Sequence, residues 1–355
     1  MERTMTVFGR ELPRRPGYLN TASIGVPPLD ASTAVTDAVR AWAGGTSSPR
    51  DFDDAVETAR AGFAAITGVP VADVAQGATV SGLIGPLATA VPDGTRVLVA
   101  QGEFSSVTRP FALQAHRGVR VREVPLDELA GHAAEHDLVA VSVVQSADGR
   151  IADLDGLFAA RERSGFRLLL DVTQAAGWLP LRLDRADAVA GAGYKWLLAP
   201  RGAAWLAQRP SWVDGPGGRW PEVVRSGAGW YGTRDRWGDG LYTPDPAARP
   251  GPAGAEEAPV WWAHVGAAVT VPWLASLDPQ QLRAHCAGLA DALRERLDMP
   301  ARGSAIVAVR TDGAAERLAR AGISAAVRGG AARLAFHLTN TIDDVELAAS
   351  ALRTG

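Results

Sequence analysis

The sequence predicts an α/β protein: a large domain on a mainly parallel sheet, followed by a smaller α/β domain at the carboxyl end. Three observations predict it. The chain has 355 residues, and at about 150 residues per domain that length suggests two domains. Between residues 65 and 207, short apolar runs alternate with longer stretches of helical pattern, the signature of βαβ units. Beyond a connection rich in Gly, Pro and Trp, helix and strand patterns begin again at residue 260.

Taken in order, residues 79–90 read as a helix that starts on a polar cap and stops before Pro92-Asp93-Gly94. Strands are expected at 96–100, 119–124, 138–144 and 166–170, several of them apolar on both faces, as interior parallel strands must be. A second helix, 154–164, ends at Gly165. Residues 210–259 form the connection, through which Trp212, Trp220, Trp230 and Trp237 are spaced. Its segment 244–259 has five prolines and few large apolar groups, which predicts a mobile loop. Helices at 260–277 and 279–297 follow, then a strand at 305–309. After these come a helix at 314–320, strands at 324–328 and 332–337, and a last helix at 342–352. Thr341 to Asp344 is patterned as a capping box with Asp in place of Glu. Trp261 and Trp262, in the first helix after the connection, read as packing or dimer contacts.

Composition narrows the function classes. The 36 Lys and Arg nearly balance 39 Asp and Glu, with no block of like charge, which argues against a nucleic-acid partner held by electrostatics. A single cysteine, Cys286, excludes an intramolecular disulfide framework and fits a cytoplasmic protein. No membrane association is expected, because the least polar run, residues 78–92, is too short and too interrupted to span a bilayer.

The chemistry concentrates in residues 168–202. A buried apolar strand delivers Asp171 at its carboxyl end, where open α/β sheets bind ligands, and Gln174 follows three residues later. Lys195 comes 21 residues after Gln174, among small residues and aromatics. A carboxylate at such a strand end requires a cationic partner, which a protonated pyridine nitrogen provides. A lysine shielded by Tyr194 and Trp196 has a lowered pKa and is suited to a Schiff base. These are the two protein groups that pyridoxal phosphate needs. From spacing alone, a plain Lys195–Asp171 salt bridge in a cofactor-free protein stays an open alternative.

The pattern of strand, Asp171, Gln174, Lys195 and then Arg201-Gly202 resembles the class V aminotransferase family of fold-type I pyridoxal-phosphate enzymes, which includes cysteine desulfurases, kynureninases and C–S lyases. The resemblance runs from the entry segment Tyr18 to Ser23 to the strand that contains Arg333 and Asn340. It implies a large cofactor-binding domain over residues 17–249 with a seven-stranded sheet, a small domain over 250–355, and residues 1–16 as a leading segment. It also implies a homodimer.

Carried over by position, Lys195 holds the cofactor and acts as general base, Asp171 meets the ring nitrogen, and Gln174 meets the ring phenolic oxygen. Thr173 lies against one face of the ring and Phe104 stacks on the other, where desulfurases have a histidine. Ala78, Thr79 and Val80 cradle the phosphate at a helix amino terminus, and Tyr194 adds a phenolic donor. Arg333 binds the α-carboxylate of an amino-acid substrate; Asn20 in the entry segment and Trp230 in the connection are further candidates to meet the substrate. Two features depart from the family: Ala192 stands where a Ser or Thr reaches the phosphate, and no Gly-Thr pair follows Arg249. The persulfide cysteine of desulfurases is missing between Arg302 and Arg333, and Cys286 is read as a small buried hydrophobe. The expected reaction is therefore C–S β-lysis of a cysteine conjugate. The alternatives are transamination, or decarboxylation-coupled chemistry on an S-cysteinyl natural-product intermediate. A non-catalytic scaffold, favoured only by the altered phosphate elements, is opposed by Asp171, Gln174 and Lys195.

Overall fold

The computed structural model describes residues 4–215, 217–223, 228–242 and 247–353. A hairpin of β1 (Thr4–Val7) and β2 (Arg10–Pro13) leads into two helices, α1 (Leu29–Ala43) and α2 (Asp53–Thr67). The central unit then follows as β3 (Val74–Gly77), α3 (Val80–Ala90), β4 (Arg96–Ala100), α4 (Ser105–Ala112), β5 (Arg120–Val124), a single turn α5 (Leu129–His132), β6 (Leu138–Ser142), α6 (Leu154–Ser164), β7 (Arg167–Asp171), β8 (Ala188–Ala192) and β9 (Ala204–Gln208). The seven strands make one sheet in the order β3-β9-β8-β7-β6-β4-β5. Strands β4 to β8 pair in parallel, whereas β9 runs antiparallel to both β8 and β3.

Side-chain alternation explains why the sheet is covered on both faces. Leu98, Val139, Leu168, Leu170 and Val189 enter the core that contains Phe63 of α2 and Val271. Val97, Val99, Leu138, Leu169 and Ala190 enter the opposite core with Leu83, Ile84 and Leu87 of α3 and Phe111 of α4. The sheet is thus mainly parallel, as the sequence predicts, with its strand ends free to build a site.

A two-residue pairing of β10 (Asp214–Gly215) with β11 (Gly218–Arg219) opens the connection. The remaining elements are α7 (Trp261–Ser276), α8 (Pro279–Arg296), β12 (Ile306–Val309), α9 (Ala314–Arg320), β13 (Ala326–Arg328), β14 (Ala331–Ala335) and α10 (Ile342–Arg353). Strands β12, β14 and β13 form an antiparallel sheet in that order, backed by Leu293, Leu318, Val345 and Leu352. Helix α7 packs on α1 and α2, with Trp261 stacked on Phe52 at 5.1 Å and Trp262 edge-on to Trp42 at 5.5 Å. In the capping box, Asp344 accepts from Thr341 N at 2.9 Å, and it also accepts from Gly17 N at 2.7 Å, which ties the chain's entry to its last helix. Among the described residues, no helix is long and apolar enough to cross a membrane.

The mobile-loop expectation for residues 244–259 is corrected over 247–259; residues 244–246 lie outside the described residues. Residues Gly251–Ala255 form a 3₁₀ turn, and Glu256 behind it is completely buried. Its carboxylate accepts from Arg60, from Gln76 N at 2.7 Å and from Arg249 at 3.2 Å. One buried acid with three donors fixes a segment whose composition alone reads as loose.

Candidate active site

The carboxyl ends of β4, β6, β7 and β8 converge on one pocket, together with the loop between β3 and α3. Asp171 ends β7, level with Ser142 of β6 and Ala190 of β8, and is nearly fully buried. Burial pushes its carboxyl up to about 6, against the hydrogen bond from Thr173 N to Oδ1 at 2.8 Å and the charge of Lys195. Lys195 lies just beyond β8 and is 5% exposed. Burial pushes its ammonium down to about 8, with Asp171 opposing and Arg333 and Arg328 reinforcing the shift. The two groups line the same pocket but form no ion pair, so the salt-bridge alternative is not the arrangement found.

Aromatic rings flank the amine: Lys195 Nζ is 5.3 Å from the Phe104 ring centroid and 5.5 Å from that of Tyr194. Phe104 caps α4 and stays 39% exposed, held by its neighbour Glu103, whose carboxylate accepts from Phe104 N, Ser142 N and Gln145 Nε2. Thr173 is buried, its hydroxyl accepting from Ala192 N at 3.2 Å. Ala78, Thr79 and Val80 line the far end of the pocket, with Thr79 capping α3 through Gly82 N at 3.1 Å.

Gln174 lies in the pocket wall with its amide already engaged. Nε2 donates to Ala22 O and to Ser146 Oγ, each at 3.1 Å, and Oε1 accepts from Trp196 Nε1 at 2.7 Å. Ser146 also serves Arg333, whose Nη1 donates to its carbonyl at 2.7 Å and its hydroxyl at 2.9 Å, while Nη2 donates to Ser23 Oγ at 2.9 Å. Arg333 is 1% exposed, its Nε has no partner, and no carboxylate pairs with it among the described residues. A buried guanidinium held only by neutral acceptors is an anion receptor in wait. Asn20 sits in the same entry segment, bridged to Ala335, with its side-chain oxygen buried and unpartnered.

Neither Trp230 nor Asn20 is among the residues that line the Lys195 pocket. Trp230 packs edge-on against Tyr231 and Trp237, near the start of α2, where Asp53 accepts from Tyr231, Arg236 and Trp237. Within this chain Trp230 thus belongs to an aromatic cluster anchored on Asp53 through Tyr231 and Trp237.

Several supporting residues escape sequence reasoning. Gly25 N donates to Tyr194 O at 2.9 Å, and a Cβ there would lie 2.0 Å from Lys195 O, so only glycine lets the entry segment seat the lysine. His337 makes a turn with Asn340, and its Nε2 also lies 2.9 Å from Trp196 O. Its ring stacks on Trp196 at 5.3 Å. Burial pushes the imidazole down to about 4, so it is neutral at pH 7 and donates from Nε2, because Nδ1 accepts from Leu338 N. Leu198, in the turn after the lysine, holds φ at 55°, a strained conformation for a branched residue and one that packing on every side must enforce.

The donor set suits pyridoxal phosphate: an amine of lowered pKa, a buried acid and an aromatic ring near it, and the amino terminus of α3 lining the same pocket. Among the described residues, no cluster of His, Cys, Asp and Glu is able to hold a metal ion.

Comparison with known proteins agrees with this fold. The family model described as aminotransferase class-V matches residues 38–215, half of the chain, and spans Phe104, Asp171 and Lys195. An uncharacterized aminotransferase of Bacillus subtilis strain 168, YcbU, is 25% identical over 311 residues, covering 81% of this chain and 80% of its own. Among solved structures, the cystine C–S lyase C-DES, in complex with its product cysteine persulfide, superposes with a TM-score of 0.80 at 19% identity over 96% of this chain and 98% of its own. The cysteine desulfurase CsdA of Escherichia coli gives 0.75 at 18%, over 95% and 93%. The shared fold is that of the fold-type I enzymes, and the chain belongs to the class V aminotransferase family of pyridoxal-phosphate enzymes.

Proposed function

We propose that the protein is a β-lyase that cleaves the C–S bond of an S-substituted cysteine, releasing a thiol, pyruvate and ammonium with one water consumed. The carrying observation is Cys286. It is the only cysteine, fully buried in α8, and burial pushes its thiol up, out of the range in which it is a nucleophile. A desulfurase relay through an enzyme persulfide is therefore closed to this chain, while direct elimination needs no cysteine. The fold shared with the C–S lyase C-DES over nearly the whole chain supports the same reading.

Each residue has a role in that reaction. Arg333 binds the substrate α-carboxylate, and its rigid anchorage on Ser146 and Ser23 fixes the orientation of Cα. Lys195 holds the cofactor and takes the Cα proton, for which its lowered pKa suits it at neutral pH. Asp171 keeps the ring nitrogen protonated. When bound, pyridoxal phosphate supplies the electron sink that makes the Cα proton removable. The rings of Phe104 and Tyr194, 5.3 and 5.5 Å from Lys195 Nζ, help hold the amine to 5% exposure, which limits water around it.

Arg201 takes over part of the phosphate binding that Ala192 cannot provide. It lines the pocket with Thr79 and Ser81 and lies over the Tyr194 ring at 5.6 Å, with no acid paired to it among the described residues. Arg201→Gln is expected to weaken pyridoxal phosphate binding about tenfold, the loss of roughly one charge-assisted hydrogen bond. Binding of phosphate-free pyridoxal, read by the same absorbance titration, should stay within about twofold; an equal loss for both ligands would refute the assignment.

The reaction class is tested by incubating loaded enzyme with S-substituted cysteines and identifying the products by mass spectrometry. Thiol and pyruvate support the lyase. A 2-oxo acid that retains the sulfur, with pyridoxamine phosphate left on the enzyme, overturns it in favour of the transaminase that the family name allows. The expected homodimer, working in the cytoplasm, belongs to the same proposal: Phe104 and Leu113, 39% and 61% exposed near the pocket mouth, are apolar surface for a second copy to cover.

A further inference from the structure

The small sheet sends two arginines from one face. In the register of β13 and β14, Arg333 lies opposite Ala326 and Arg328 opposite Ala331. Residues two apart on a strand project to the same side, so Arg328 leaves the sheet on the face that carries Arg333. The turn between the strands, Gly329-Gly330, has φ of 53° and 75°, and Arg310 donates to Gly329 O at 2.7 Å. A Cβ on Gly329 would come within 3.9 Å of Ala147, the residue after the serine that anchors Arg333. The hairpin tip is therefore fixed beside the mouth of the site.

Arg328 is exposed, bonds only its neighbour's carbonyl, Val327 O, and has no acidic partner among the described residues. It acts as a like charge on both Lys195 and Arg333. Three cations at one entrance repel one another until anions join them. The α-carboxylate answers Arg333, and the acid on Asp171 is committed to the ring nitrogen. Among the described residues, no acid answers Arg328.

We propose that Arg328 is a specificity residue, and that the preferred substrate is an S-substituted cysteine whose sulfur substituent carries a second anionic group, a carboxylate or one of like charge. The assignment rests on the lyase reading for the identity of the substrate. It rests on the sheet register and the unanswered charge for the second anion. Because Arg328 is exposed at the rim, its contribution should fall as ionic strength rises.

The test uses pairs of equal shape and different charge: S-carboxymethyl-L-cysteine against S-carbamoylmethyl-L-cysteine, and the pair one methylene longer. Loaded wild-type enzyme and Arg328→Gln are each titrated by the absorbance change on binding, and thiol release is followed separately. In the wild type, the anionic member of at least one pair should bind about tenfold more tightly. In Arg328→Gln that preference should collapse towards unity, with the neutral member's Kd within about twofold of wild type and the melting temperature unchanged. Equal binding of both members in the wild type, no binding of either, or a preference that survives in the variant would overturn the proposal. Charge-selective binding without thiol release would leave Arg328 in its role and refute the lyase reading instead.

Discussion

Lys195→Ala is expected to abolish turnover, by at least 10⁴-fold, and to remove the visible absorbance band that pyridoxal phosphate gives on the wild-type enzyme. In the proposed mechanism the side chain has two roles, covalent anchor and base, and no neighbour is able to replace it. Arg333, even with burial lowering it to about 10, stays protonated at neutral pH, and His337 is turned into the core towards Trp196 O. The variant should fold normally, because the Lys195 side chain is in no ion pair and its backbone bond from Leu198 N is kept.

The same side chain gives a pH prediction. Only the neutral amine attacks an aldehyde, and with its pKa lowered to about 8 roughly 9% is neutral at pH 7, against about 0.03% for an ordinary lysine at 10.5. Covalent loading should accelerate nearly tenfold per pH unit below about 7, about fivefold from 7 to 8, and then level. A rate still climbing steeply between pH 9 and 10 would mean that burial does not depress this amine, and the case for Lys195 as a base at neutral pH would go with it.

Much of this was readable because the informative signals are local. The continuous apolar run Arg96–Ala100 announces a buried strand, and caps and stops bound the helices Leu154–Ser164 and Ala314–Arg320, all found where the pattern puts them. Strands β8 and β9 carry weaker signals, since AVAGA and AWLAQ lack the β-branched residues that mark a strand, and β3 ends in Gln and Gly. In the site, Asp171, Gln174 and Lys195 declare themselves by chemistry and spacing within one segment. Ser146 does not: it matters only because Arg333, 187 residues away, and Gln174 both reach it. The same holds for Gly25 under the lysine and for His337 behind Trp196, whose meaning lies wholly in contacts across the chain. Glu256 is the sharpest case, a charged residue in a proline-rich stretch that composition marks as loose and tertiary pairing makes the most buried acid of its segment.

Glu256→Ala should be the most destabilising single change outside the pocket, by about 3–5 kcal/mol, the range for breaking one partner of a buried ion pair. Removing the carboxylate leaves Arg60, itself 3% exposed, with Val74 O and the half-exposed Glu57 as its remaining acceptors, and it strips Gln76 N of its only side-chain partner. The exposed pair of Arg219 with Asp214 supplies the control, since Arg219→Ala should cost well under 1 kcal/mol. Glu256→Gln should fall between, because the amide keeps the shape and one acceptor but loses the charge that answers two guanidiniums. The effect should reach the site as well. Gln76 also donates from its side chain to Glu257 O at 2.6 Å, and two residues further on the chain enters the Ala78-Thr79 cradle. Loosening that strap should therefore weaken cofactor retention along with the melting temperature, whereas a loss of stability below about 1 kcal/mol in urea titration would show that solvent already reaches Arg60 and that the strap is held by something other than Glu256.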